Sequence, residues 1–124
     1  MKVIYKDKRI EEICTDFNKA KRFFNGKEKL ALSLLSRVNA FASANVIHDI
    51  IIQPQFSFHN LINQGKNKNM NGYFAVDVKT RRDGWRIILR PLNEDEKEFI
   101  PCEIDKISKI VKKVEIMEVS NHYE

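Results

Sequence analysis

Gly72-Tyr73-Phe74-Ala75-Val76-Asp77-Val78-Lys79, then a short basic turn, then Trp85-Arg86-Ile87-Ile88-Leu89-Arg90 read as two β-strands of one hairpin. Phe74, Val76 and Val78 share one face of the first strand; Tyr73, Ala75, Asp77 and Lys79 share the other. In the second strand Trp85, Ile87 and Leu89 lie opposite Arg86, Ile88 and Arg90. Residues 80–84, closing on Asp83-Gly84, supply the turn. This pattern predicts a sheet with one face on helices and one exposing Arg86 and Arg90. A strand that must bury a face rarely carries charge unless its other face meets something anionic. Charge is concentrated here as well: residues 61–90 hold seven Lys/Arg and two acids (7 − 2 = +5), while residues 91–124 hold five and nine (5 − 9 = −4). The overall +5 averages unlike regions. A basic patch with aromatic neighbours on a sheet is the electrostatic footprint of a nucleic-acid binder.

Upstream of the hairpin, residues 2–6 read as a first strand. Ile10, Ile13, Cys14, Phe17, Ala20 and Phe24 follow the spacing of one amphipathic helix. Asp7 is its N-cap, Glu11 and Glu12 sit near its positive end, and Asn25-Gly26 ends it. A second helix over 27–44 carries Leu30, Leu34, Val38 and Phe41, flanked by Ala31, Leu35 and Ala42. The short link makes the two an antiparallel hairpin. Residues 46–52 are apolar enough for a short helix or a strand, broken by Pro54, and residues 56–61 alternate like an extended segment. The Asn/Gly/Lys-rich stretch 63–71 reads as a solvated loop. Downstream come an acidic loop over 94–98, a brief strand at Phe99-Ile100, a helical turn within 103–110 and a last strand over 114–119. The order predicts a single α+β domain spanning residues 1–124, its N-terminal strand and helical hairpin packed on a small, mainly antiparallel sheet.

The chain has 124 residues, 43% of them hydrophobic and 31% charged, the balance of a soluble globular domain. No apolar run approaches the roughly 18 residues needed to span a bilayer, and the start lacks the pattern of a signal peptide, so a cytoplasmic location is expected. Cys14 and Cys102 have no metal-ligand spacing and read as structural residues.

Four stretches in order, Phe58-His59-Asn60-Leu61, Gly72-Tyr73-Phe74-Ala75-Val76, Trp85-Arg86-Ile87-Ile88-Leu89-Arg90 and Val114-Glu115-Ile116 leading to His122-Tyr123, resemble the HigB branch of the RelE/ParE toxin superfamily. The resemblance covers essentially the whole chain. It implies a RelE-like fold and a type II toxin: a ribosome-dependent mRNA endonuclease acting in the ribosomal A site without metal or cofactor. It also implies a cognate HigA-like helix-turn-helix antitoxin, through which alone operator DNA is bound, and no membrane partner. HigB-like chains commonly end in Asp-Tyr-His after the last strand. Here Glu118 stands at that Asp, and His122 precedes Tyr123. The loop after His59 is also longer than in the family.

RNA is cut without metal when its 2′-OH attacks the adjacent phosphate. The reaction needs a base for the hydroxyl proton, positive charge for the crowded phosphate and an acid for the leaving 5′-oxygen. The catalytic set implied is Arg86, His59, His122 and Tyr123. Arg86 suits two phosphate oxygens at once, its plainer alternative being a surface arginine paired with Asp77 or Glu118. His59, as an imidazole, can act as base or acid, though a lone histidine is more often a hydrogen-bonding residue; His48 reads as structural. His122 and Tyr123 either meet RNA beside Arg86 or form a frayed tail. Lys66, Lys68, Lys79, Arg81 and Arg82 read as RNA-backbone contacts, or as a solvated loop residue by residue; Arg90 is an auxiliary phosphate contact or a structural ion pair. Two rivals stand beside this reading: a ParE-like DNA gyrase inhibitor acting by binding, and a non-catalytic RNA- or ribosome-binding module.

Overall fold

The structure, a computed structural model, describes residues 1–61 and 72–121. Strand β1 (Lys2–Tyr5) leads into α1 (Lys8–Thr15), where Asp7 accepts a hydrogen bond from the Ile10 N–H at 2.9 Å, the N-cap its sequence position predicts. The single helix expected over 10–24 is two. At Asp16 the backbone is extended (φ −121°, ψ 115°), and its carboxylate accepts from Lys19 N–H at 3.1 Å, opening α2 (Phe17–Phe23). An aspartate offers the backbone a local partner that competes with helix continuation. Asn25 (φ 56°) and Gly26 (φ 86°) then take the left-handed conformations that end α2.

Helix α3 (Glu28–Ser43) buries Leu30, Ala31, Leu34, Val38 and Phe41. Ala42, expected on the same stripe, is exposed, beyond the edge of the buried arc. Residues 46–52, open to either reading, hold the short helix α4 (His48–Ile51). A 3₁₀ turn at Pro54–Phe56 follows, and then β2 (His59–Asn60). The hairpin consists of β3 (Phe74–Asp77) and β4 (Arg86–Leu92). After it come α5 (Ile104–Ile107) and β5 (Lys113–Ser120). Phe99 and Ile100 form no strand; Leu92 and Glu98 make a single antiparallel bridge instead.

The sheet order is β1-β5-β4-β3-β2, with β1 parallel to β5 and every other pair antiparallel. The architecture is therefore α+β on a mixed, mainly antiparallel sheet. One face, with Phe74, Val76, Ile87, Leu89, Ile116 and Val119, joins the helices in the main core. The opposite face does not present Arg86 to solvent as the alternation suggested. Ala75, Ile88 and Leu61 form a second small core there with Tyr73 and Met117 beside it, and Arg86 is only 4% exposed. Strand alternation says which side chains share a face but not whether that face is covered. The β4–β5 register slips between Ile88 and Leu89, setting Glu118 opposite Ile88 and Ser120 opposite Arg86. No helix among the described residues is long and apolar enough to cross a membrane.

Candidate active site

The β3–β4 register sets Asp77 directly across from Arg86. Arg86 Nε lies 3.1 Å from Asp77 Oδ1, both side chains almost fully buried. The two atoms are not aligned for a hydrogen bond, so charge holds the contact. Of the two alternatives the sequence left for an ion partner, Asp77 is the one in contact, and the pair is interior rather than superficial. The far end of the guanidinium grips the turn: Nη1 donates to the Trp85 carbonyl at 2.9 Å and Nη2 to the Arg81 carbonyl at 3.2 Å.

That turn is built from its own residues. Asp83 accepts from the Thr80 N–H and hydroxyl at 3.1 and 3.0 Å through Oδ2, and from the Trp85 N–H at 2.9 Å through Oδ1. Gly84 takes φ 79°, a conformation other residues rarely adopt. Trp85 anchors the turn's end edge-on against Phe24 and Phe23. Lys79, Arg81 and Arg82 are thus displayed, exposed, on a turn with a fixed backbone.

His59 reaches the same place from the other side. Strand β2 pairs His59 with Ala75 and Asn60 with Phe74. Its Nδ1 is 2.8 Å from the Ser57 carbonyl. A carbonyl only accepts, so Nδ1 carries a proton, and in the corresponding neutral tautomer Nε2 is the lone pair. Nε2 is buried and has no hydrogen-bond partner among the described residues. Ser57, which supplies that carbonyl, is itself left-handed (φ 48°, ψ 45°).

These groups line one cleft of about 610 Å³, walled by Ser57, Phe58, His59, Asn60, Asp77, Arg81 and Arg86. It joins a proton acceptor to a buried cation and an exposed arginine, a combination suited to an anionic, proton-bearing substrate. A second groove of about 680 Å³ lies across the turn, with Lys79 and Arg82 facing Lys27 and Lys29. It is slightly larger, but among the described residues no histidine or tyrosine lines it, so the smaller cleft is the better candidate for proton transfer. Among the described residues no cluster of three or more His, Cys, Asp or Glu is placed to hold a metal ion.

Of the catalytic residues expected from sequence, Arg86 and His59 come together. His122 and Tyr123 lie outside the described residues, as do Lys66 and Lys68. Arg81 lines the cleft, while Lys79 and Arg82 line the neighbouring groove. Arg90 stands apart. Its Nε is 2.7 Å from Glu115 Oε1, Glu98 is 3.8 Å from its Nη1, and its guanidinium sits over the Tyr73 ring. Of its two readings, the ion pair is the one in place. His48 lies in α4, away from the cleft, its backbone N–H bonded to the Ser108 carbonyl.

Sequence reasoning missed Arg37, whose guanidinium hydrogen-bonds the carbonyls of Asp77 and Gln55. The available signal was its position three residues after Leu34 and four before Phe41, a charge on the apolar side of α3. No family model, curated protein or solved structure matches this chain.

Proposed function

We propose that this chain is a HigB-type toxin of the RelE/ParE superfamily with a RelE-like fold, a cytoplasmic, ribosome-dependent mRNA endonuclease neutralised by a HigA-like helix-turn-helix antitoxin. The observation that carries the reading is the meeting of His59 and Arg86 in one cleft. They come from distant parts of the chain, and both stand in segments that resemble the family.

In this reading His59 Nε2 takes the proton of the RNA 2′-OH, and the oxygen attacks the adjacent phosphorus. The O2′–P bond forms as the P–O5′ bond breaks, leaving a 2′,3′-cyclic phosphate and a 5′-hydroxyl. Arg81, exposed at the cleft mouth, and Arg86, beneath it, oppose the charge that builds on the phosphate oxygens. His122 and Tyr123 supply the acid for the leaving 5′-oxygen or stack on a base. The ribosome contributes in-line geometry, so a shallow cleft suffices.

The test is translation in a purified bacterial system with primer-extension mapping of the mRNA. It compares wild type, His59→Gln, Arg81→Gln and no protein, each with and without ribosomes. Cuts that need ribosomes and disappear with His59→Gln are the expected result. Intact mRNA in the presence of folded, ribosome-bound protein would sink the nuclease reading.

A further inference from the structure

We infer that Arg37 is a positioning residue of the His59 cleft, a single guanidinium from α3 that fixes the spacing between its two walls. Its Nε donates to the Asp77 carbonyl at 3.0 Å, and its Nη2 donates to the Gln55 carbonyl at 3.2 Å and to the Lys79 carbonyl at 3.5 Å. The guanidinium carbon lies 4.7 Å from the centroid of the buried Phe56 ring. Among the described residues no carboxylate lies at ion-pair distance from it, although the Asp77 charge acts on it from further off; carbonyls and a ring receive it instead.

The walls need such a tie. One is the segment 54–60, which carries His59 and, among the described residues, meets the sheet through the two residues of β2, the bond from Leu61 N–H to the Tyr73 carbonyl and the Phe58 ring stacked on Phe74. Within it Ser57 holds a left-handed conformation, unfavourable for a residue with a β-carbon. That conformation aims the Ser57 carbonyl at His59 Nδ1, and it persists only if the chain is pinned on both sides. Strand β2 pins the far side; on the near side Phe56 is buried in the main core, and Arg37 adds a bond to the Gln55 carbonyl and a cation over the Phe56 ring. The other wall is the end of β3, where the same guanidinium holds the backbone of Asp77, the residue whose side chain pairs with Arg86. A planar fork reaches carbonyls of both segments at once, whereas a lysine ammonium is a point charge on a flexible stem.

The catalytic part rests on the nuclease reading, but the geometric part does not. The experiment therefore reads both on the full chain, for wild type, Arg37→Lys and Arg37→Met. Long-range ¹H–¹⁵N imidazole spectra at about pH 8 report the tautomer of neutral histidine; the His59 signal is assigned by its loss in His59→Gln. Ribosome-dependent mRNA cleavage is measured in parallel. Wild type is expected to show the Nδ1–H tautomer. Folded Arg37→Met is expected to show mixed tautomers and cleavage slowed by about 10- to 100-fold in kcat with little change in KM, the signature of misorientation rather than lost binding. Arg37→Lys is expected to recover part of both. An unchanged His59 signal in folded Arg37→Met, or an Nε2–H tautomer in wild type, overturns the inference. So does loss of the fold in both variants, which would make Arg37 a folding residue. If wild type cuts no mRNA, the nuclease reading falls while the tautomer comparison still decides the role of Arg37.

Discussion

Asp77 and Arg86 face each other across the β3–β4 ladder, with Oδ1 and Nε 3.1 Å apart and both side chains at or below 5% exposure. The same strand repeats the device at its other end, where Arg90 faces Glu115 at 2.7 Å, but there the arginine keeps about a quarter of its surface in water. Two cross-strand charge pairs on one strand thus sit in different dielectric surroundings. The inner one has given up far more hydration and depends more heavily on its partner.

Arg86→Ala is expected to destabilise the fold by about 3–5 kcal/mol, because it strands a buried carboxylate. The double variant Asp77→Leu/Arg86→Met removes both charges and is expected to cost clearly less than Arg86→Ala alone. Urea unfolding of Arg86→Ala, of the singles Asp77→Leu and Arg86→Met, and of the double variant measures this. A double variant as unstable as the sum of the singles would mean that the pair is not energetically coupled. Loss of activity in Arg86→Ala alone therefore says little about phosphate binding, which is why His59 and Arg81 carry the functional test.

The helix break at Asp16 makes its own prediction. Asp16→Ala removes the carboxylate that accepts from Lys19 N–H and is expected to cost about 1 kcal/mol, as is Asp7→Ala at the start of α1. Asp16→Asn, which keeps an acceptor at the cap, is expected to lose only a few tenths. Thermal or denaturant unfolding distinguishes them; equal losses for Asn and Ala would mean that capping is not what Asp16 contributes.

Much of the scaffold was legible because it is written in short-range chemistry. Alternation drew β3 and β4, Asp83-Gly84 drew their turn, and Asn25-Gly26 drew the end of α2. The interruption at Asp16 was not visible, because the apolar spacing runs through it: Phe17 follows Cys14 as it would in one helix. The burial of Arg86 was hidden for a different reason. Its partners are the Asp77 carboxylate across the ladder and the Arg81 carbonyl in the turn, meetings that no local pattern encodes. Strand alternation singled out Arg86 and the resemblance added weight to it and to His59, but periodicity alone would not have joined them. Arg37 stayed silent because backbone carbonyls, which every residue has, are its partners.

RNA affinity offers a test of the groove beside the cleft. Lys79 and Arg82 are exposed, and their charged ends have no ion-pair or hydrogen-bonding partner among the described residues. If each meets a phosphate, Lys79→Gln and Arg82→Gln should each flatten the plot of log affinity against log salt by about 0.7 for a single-stranded oligoribonucleotide. Arg90→Gln, which breaks an ion pair already made within the fold, should leave that slope unchanged. Fluorescence anisotropy across a salt series measures all three. An Arg90→Gln slope change as large as the others would return Arg90 to the RNA surface.

Alkaline pH should weaken the fold through Cys14. The thiol is 2% exposed, and burial pushes its pKa from 9.0 up to about 12. The folded chain therefore keeps this proton at pH values where the unfolded chain has lost it. The resulting stabilisation is fully present below pH 9.0 and is lost as pH rises from there toward about 12. Tyr5 acts in the same direction over the upper part of that window: burial first, then the nearby Cys14 and Glu11, raise its phenol from 10.0 to about 12. Cys14 contributes a slope of at most about 1.4 kcal/mol per pH unit within its window, and the partly exposed Tyr5, screened by solvent, contributes less. Cys14→Ala removes one of the two titrations, so its stability should fall less steeply than wild type's between about pH 9 and pH 11. Urea unfolding at several pH values supplies the slopes. Parallel curves for the two proteins would show that the Cys14 thiol does not distinguish the folded from the unfolded state.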